Sequence, residues 1–267
     1  MKARLLPVLL AATLATACAT TTSPTGRTQY VGAVSQQQLD QLGAQAFEQL
    51  KQQKRHNVDA VQTRRVRCIV DALVARLPAE QRRVGWETAL FVDAEANAFA
   101  LPGGKVGVYE GIFQVARDDD QLAAVLAHEI AHVVARHHDE RLTRQAGAQG
   151  AVQLVGALLG TRYGDNVVGA ATQGGSILAQ TGFLLPGSRV QEDEADIVGQ
   201  RLMADAGYDP RAAVNLWQNM LAASPSRPPQ FLSTHPDPTA RIAQMQRRAG
   251  ELGPVYEAAR GRRASCR

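Results

Sequence analysis

No stretch of this 267-residue chain supplies the ~20 uninterrupted apolar residues that a membrane-spanning helix needs, which argues against a transmembrane helix. Basic residues are not concentrated either. The formal net charge is only +4, Lys2 and Arg4 of the N-terminus included, and no Lys/Arg face is visible before the short run Arg260, Arg262, Arg263, Arg267. A nucleic-acid partner is therefore not expected, and that basic tail reads as a solvated, frayed end. Cysteine is scarce, at Cys18, Cys68 and Cys266. Internal repeats are absent. What remains is an ordinary globular composition, 45% hydrophobic, which suits one compact domain with or without helical extensions.

The N-terminus carries information of another kind. Lys2 and Arg4 precede a short apolar run from Leu5 to Leu14, and the small residues Ala15, Thr16 and Ala17 precede Cys18. This is the layout of a secretory signal. Ala-Thr-Ala-Cys also resembles the bacterial lipoprotein signal, in which the cysteine becomes a lipidated first residue; plain cleavage near Ala17 is the alternative. Several acyl chains on one residue anchor stably where one does not. Ala19 is not the aspartate associated with inner-membrane retention, so the expected place is the periplasmic face of the outer membrane. Export also leaves Cys68 and Cys266 as an even pair in an oxidising compartment. They are a candidate disulfide, against a buried Cys68 and an idle Cys266.

The expected organisation is a signal over residues 1–17, a flexible Thr/Ser/Gly/Pro tether over 18–36, a domain over 37–253 and the basic tail over 254–267. Apolar residues at three- and four-residue steps make Gln37 to about Leu77 helical. Trp86–Val92 reads as a strand, and Phe99–Leu101, the turn Pro102-Gly103-Gly104 and Val106–Tyr109 read as a hairpin. A long helix opens near Asp118, Asp119 and Asp120, whose carboxylates suit a helix N-terminus. From Gly147 to Leu185 the chain is rich in Gly and Ala, which suggests packed small-residue helices or a flap. Ser188 with Gln191 is a capping-box signature for another helix.

The chemistry gathers on these helices. His128 and His132 in HEIAH lie four apart, so both imidazoles project from one helix face and can share a metal. Glu129 sits where it can reach an activated water without ligating the metal. A catalytic zinc normally takes three protein ligands. Glu192 of the run QEDEAD supplies the third, with Asp196 on the same face accepting from the outer nitrogen of a ligand histidine. Ala195 and Gly199 on that face allow close helix approach. Glu194 points nearly the opposite way and reads as solvent-facing; in a different register it competes as the ligand. His137 and His138 lie around the helix from His128 and read as helix-end cations, and His56 as a surface residue. His235, in a Pro-stiffened loop, has three readings: oxyanion donor, zinc ligand in place of water, or loop packing.

Five segments together resemble one family: NAFALPGG (Asn97 to Gly104), LAAVLAHEIAH (Leu122 to His132), SRVQEDEAD (Ser188 to Asp196), ADAGYDP (Ala204 to Pro210) and LSTHPDPTAR (Leu232 to Arg241). They look like the bacterial HtpX, BepA and LoiP type of zinc metallopeptidases, related to the CAAX prenyl proteases. The resemblance implies an α+β, mostly helical, zincin-like domain with a small sheet beside the HExxH helix. It implies one zinc ion at His128, His132 and Glu192, with Glu129 as base. It also implies that Val106, Gly107, Val108 and Tyr109 form the edge strand receiving an extended substrate, and that His235 can reach the metal. Among family members the chain looks most like the short LoiP-type lipoproteins, lacking BepA's tetratricopeptide extension and HtpX's transmembrane helices. The expected activity is an endopeptidase acting on misfolded or unassembled envelope proteins, with envelope assembly machinery as a candidate partner. The rivals are a chaperone-like binding lipoprotein with a latent or structural zinc site, and a prenyl-peptide-type protease.

Overall fold

A computed structural model describes residues 19–158, 187–223, 230–235 and 238–266. The signal segment, Cys18 and most of the Gly/Ala-rich stretch lie outside the described residues. Among them no helix is long and apolar enough to cross a membrane.

The chain opens with an antiparallel hairpin, β1 (Ala19–Thr22) and β2 (Thr28–Val31), closed over a loop with Gly26 at φ 86°. This corrects the expected tether. Thr, Tyr and Val are strand formers, and Pro24 with Gly26 punctuates them into two strands. Helices α1 (Gln36–Gln53) and α2 (Ala60–Val74) follow, capped by Ser35 in a capping box with Gln38 and by Asp59. The break between them is set by Asn57 at φ 53°, whose Oδ1 accepts the Leu90 amide at 3.0 Å. His56 there is half-buried beside Phe91.

After the short α3 (Ala79–Arg82), the strands β3 (Glu87–Phe91), β4 (Ala98–Leu101) and β5 (Lys105–Tyr109) form a sheet in the order β3-β5-β4. β5 runs parallel to β3 and antiparallel to β4. The Pro-Gly-Gly turn joining β4 to β5 has Gly103 and Gly104 at φ 76° and 70°, which side chains resist. Val106 to Tyr109 thus lie on the central strand, not an edge, which overturns the expected substrate strand. The outer side of β3 is taken by the Arg55–Asn57 segment, since Val92 donates to Arg55 O and Asn57 to Leu90 O. Among the described residues no strand pairs with the other side of β4.

Helix α4 (Asp119–Val134), capped by Asp118, is the buried axis of the domain, and every residue from Gln121 to His132 is buried. It packs against β4, α2, α6 (Arg189–Asp205) and α7 (Ala212–Ala223), the last burying Trp217 and Met220. Arg136 takes φ 54° and breaks the chain after α4, so α5 (His137–Leu158) starts in a new direction. Ser188 caps α6 in a capping box with Gln191. The chain ends with α8 (Gln230–Thr234), α9 (Pro238–Glu251) and α10 (Gly253–Ala259).

The C-terminal segment is not frayed. α10 packs on α6, Arg263 pairs with Asp120 at 3.0 Å and lies over the Tyr208 ring, and Cys266 is bonded to Cys68 of α2. Of the arginines read as a solvated end, Arg263 finds a half-buried partner in Asp120, while Arg260 and Arg262 stay exposed.

Candidate active site

Positions four apart place His128 and His132 on one face of α4, with ring centroids 4.8 Å apart. α6 brings Glu192 opposite them. This approach is possible because Gly199 lies against α4, where a Cβ would come within 3.0 Å of the His128 amide nitrogen. His235 closes the group from the end of α8, its ring stacked on Phe231. One donor atom from each of His128, His132, Glu192 and His235 falls within 4.8 Å of the others, and all four residues are buried.

The separations are those of a coordination sphere. Donors 2.0–2.1 Å from a tetrahedral zinc lie about 3.3 Å from one another. Here His128 Nε2 is 3.1 Å from His132 Nε2, 3.2 Å from His235 Nδ1 and 3.4 Å from Glu192 Oε2. Glu192 Oε1 is 3.6 Å from His132 Nε2 and, although buried, accepts no hydrogen bond from the described residues. A buried carboxylate oxygen in that state is costly without a cation. The donor set therefore fits zinc.

Electrostatics agree. Burial pushes Glu192 up, but His235, His132 and His128 outweigh it and hold its carboxyl well below the usual range. Burial, joined by the neighbouring His128, His137 and His235, drives His132 well down against the pull of Glu192. His128 is also pushed down by burial, yet Asp196 and Glu192 hold it up at about 9, so a bound cation there displaces a proton. Asp196 Oδ1 lies 3.0 Å from His128 Nδ1, and Arg241 grips that carboxylate at 2.7 and 2.8 Å. The proton thus stays on Nδ1 and leaves Nε2 for the metal. Glu129 points into the same cleft, its Oε1 3.3 Å from His235 Nε2. Burial raises its carboxyl, partly countered by His235 and His128.

Residues 60–249 match the family model for peptidase family M48. The chain belongs to peptidase family M48. Members are zinc-dependent metallopeptidases of the HtpX and BepA type, and the α+β, mostly helical architecture agrees with that. Mitochondrial metalloendopeptidase OMA1 of Schizosaccharomyces pombe is 42% identical over 163 residues, 60% of this chain and 46% of that protein. Beta-barrel assembly-enhancing protease of Escherichia coli is 32% identical over 171 residues, 60% and 34%. A putative beta-barrel assembly-enhancing protease of Vibrio cholerae is 35% identical over 196 residues, 70% and 40%. This M48 chain spans less than half the length of each.

Three residues around the site depart from expectation. Glu194 is 2% exposed rather than solvent-facing, because the N-terminal hairpin covers that side of α6. His137 and His138 are buried, not helix-end cations. The turn at Arg136 folds His137 back so that its Nδ1 meets His132 Nδ1 at 2.8 Å. His138 Nε2 donates to Ala100 O of β4 at 2.8 Å, and burial with Arg141 nearby drives its pKa well down. A left-handed arginine carries no sequence signal, whereas the hairpin had one in its Thr-rich strands and Pro/Gly turn.

The cleft beside the metal group is lined by Asn97 and the β4 residues Ala98–Leu101, together with Glu129, His132, His138 and His235. Tyr109 donates to Asn97 O, so the pairing that alternates along β4 turns Phe99 and Leu101 towards β5 and leaves Ala98 and Ala100 facing the open edge.

Proposed function

We propose that this chain is a zinc endopeptidase cleaving unfolded or misassembled envelope proteins, held by a lipid on Cys18 at the periplasmic face of the outer membrane. The observation that carries the catalytic reading is Glu129, buried beside a four-donor group and facing a cleft walled by an open strand edge. A latent or structural zinc site has no use for such a carboxylate. The location rests on the signal-like N-terminus and on kinship with proteases named for β-barrel assembly.

An extended substrate adds to the edge of β4, where Ala98 and the amide of Ala100 present main-chain groups to it, the Ala100 carbonyl being held by His138. His132, His128 and Glu192 would hold the metal, which when bound would supply Lewis acidity to the scissile carbonyl and acidify water. Glu129 takes the proton of a water as its oxygen adds to the carbonyl carbon. It then delivers that proton to the leaving nitrogen as the C–N bond breaks. Its raised pKa suits both transfers.

The test is the cleavage of an unfolded protein by Glu129→Gln and wild type at equal zinc content. A loss of about 10²–10⁴-fold with zinc retained is expected. Equal rates for the two proteins, both zinc-loaded, would return the chain to the chaperone-like binding class.

A further inference from the structure

Each ligand histidine of α4 is backed by a carboxylate that an arginine grips from behind. For His128 these are Asp196 and Arg241. For His132 the relay is one residue longer. His132 Nδ1 meets His137 Nδ1 at 2.8 Å, His137 Nε2 lies 3.1 Å from Glu194 Oε2, and Arg27 reaches that oxygen through Nε and Nη2 at 3.2 and 2.8 Å. Arg27 sits in the turn of the N-terminal hairpin, outside the residues 60–249 that define the family match.

Proton counting gives the relay a direction. An ionised Glu194 has no proton to give, so His137 Nε2 donates to it. A neutral imidazole carries one N–H, which leaves His137 Nδ1 an acceptor and makes His132 Nδ1 the donor. The His132 Nε2 lone pair is then bare among the other metal donors. If Glu194 were not held, His137 could carry its proton on Nδ1. That arrangement would force the His132 proton onto Nε2, the tautomer that cannot ligate.

Arg27 is what holds Glu194 on the far side, helped by Thr25, whose hydroxyl donates to Glu194 Oε1 at 2.6 Å. The same guanidinium reaches Glu140 at 2.6 and 2.9 Å. The hairpin segment is fastened to the end of the zinc helix and the start of α5 as well, where Gln29 donates to Ala135 O at 2.7 Å and the Gly32 amide to Asp139 at 3.0 Å.

We propose that Arg27 is a positioning residue for the metal centre: it fixes Glu194, Glu194 fixes the tautomer of His137, and His137 presents Nε2 of His132 to the metal. The proposal rests on the zinc reading above and concerns a side chain that touches neither metal nor substrate.

Zinc affinity by chelator competition, and the visible absorption of the cobalt-substituted protein, test it on the full chain for wild type, Arg27→Ala, Arg27→Lys and Glu140→Gln. Arg27→Ala should bind zinc about 10- to 100-fold more weakly and alter the cobalt band, with Arg27→Lys losing less. Glu140→Gln loosens the other anchor of Arg27 but leaves the relay, so it should stay within about twofold of wild type, as expected for a residue outside the ligand chain. Wild-type affinity and spectrum in Arg27→Ala overturn the proposal. So does an equal loss in Glu140→Gln, which would make hairpin docking alone responsible. If Arg27→Ala loses its cooperative melt, Arg27→Lys decides: reduced affinity supports the relay and wild-type affinity overturns it. Wild type that binds no zinc defeats the metal reading instead.

Discussion

His235 stands where an incoming carbonyl would need to be. Its Nδ1 is 2.8 Å from Glu192 Oε2 and 3.2 Å from His128 Nε2, while its Nε2 faces Glu129. One ring therefore engages a metal donor set and the base together, an arrangement that favours an idle enzyme over a poised oxyanion donor. His235→Ala is expected to raise basal cleavage of an unfolded substrate several-fold, read from initial rates at saturating zinc. A loss of activity instead would assign the ring to oxyanion stabilisation, a donor worth about 10²–10³-fold when removed. At this scale HEIAH and the Glu192/Asp196 pair were legible because both lie on regular helices, where spacing dictates facing. His137 was not, because the turn at Arg136 interrupts that periodicity.

Among the elements, the contact that makes the site is the one between α4 and α6. Gly199 sets its distance, since a side chain there meets the Ala127 and His128 backbone, which has no flexible end to move aside. Gly199→Val should cost about 1–3 kcal/mol by overpacking and draw Glu192 away from the histidines. A lowered melting temperature accompanied by weaker zinc binding is the expected pair of results. Unchanged zinc affinity in a destabilised Gly199→Val protein would show that Glu192 is not placed by this approach. The small residues of that face were readable in sequence. The order β3-β5-β4 was not, because hairpin chemistry pairs β4 with β5 but says nothing of the parallel strand on the other side of β5.

Across the whole molecule, closure comes from partners far apart in sequence. The Cys68–Cys266 bond spans 198 residues and holds the last turn over Asp120 at the start of the zinc helix. A cross-link of that span limits the unfolded chain strongly, and its removal is expected to cost about 2–5 kcal/mol. Thermal melting of the oxidised protein and of Cys266→Ser checks this, with a clear fall in melting temperature expected in the variant. The N-terminal hairpin closes the opposite side in the same long-range way, through Arg27 with Glu140 and Glu194.

Local sequence determined the catalytic helix, its ligands, the caps of α4 and α6, and the Pro-Gly-Gly turn, because each depends on residues within a few positions of one another. Tertiary structure decided which described strand edge is left unpaired, that Glu194 is buried, that His137 backs His132, and that the segments at both ends of the described residues are docked. Those outcomes depend on contacts such as Arg27 with Glu194, 167 residues apart, which no local period or propensity encodes.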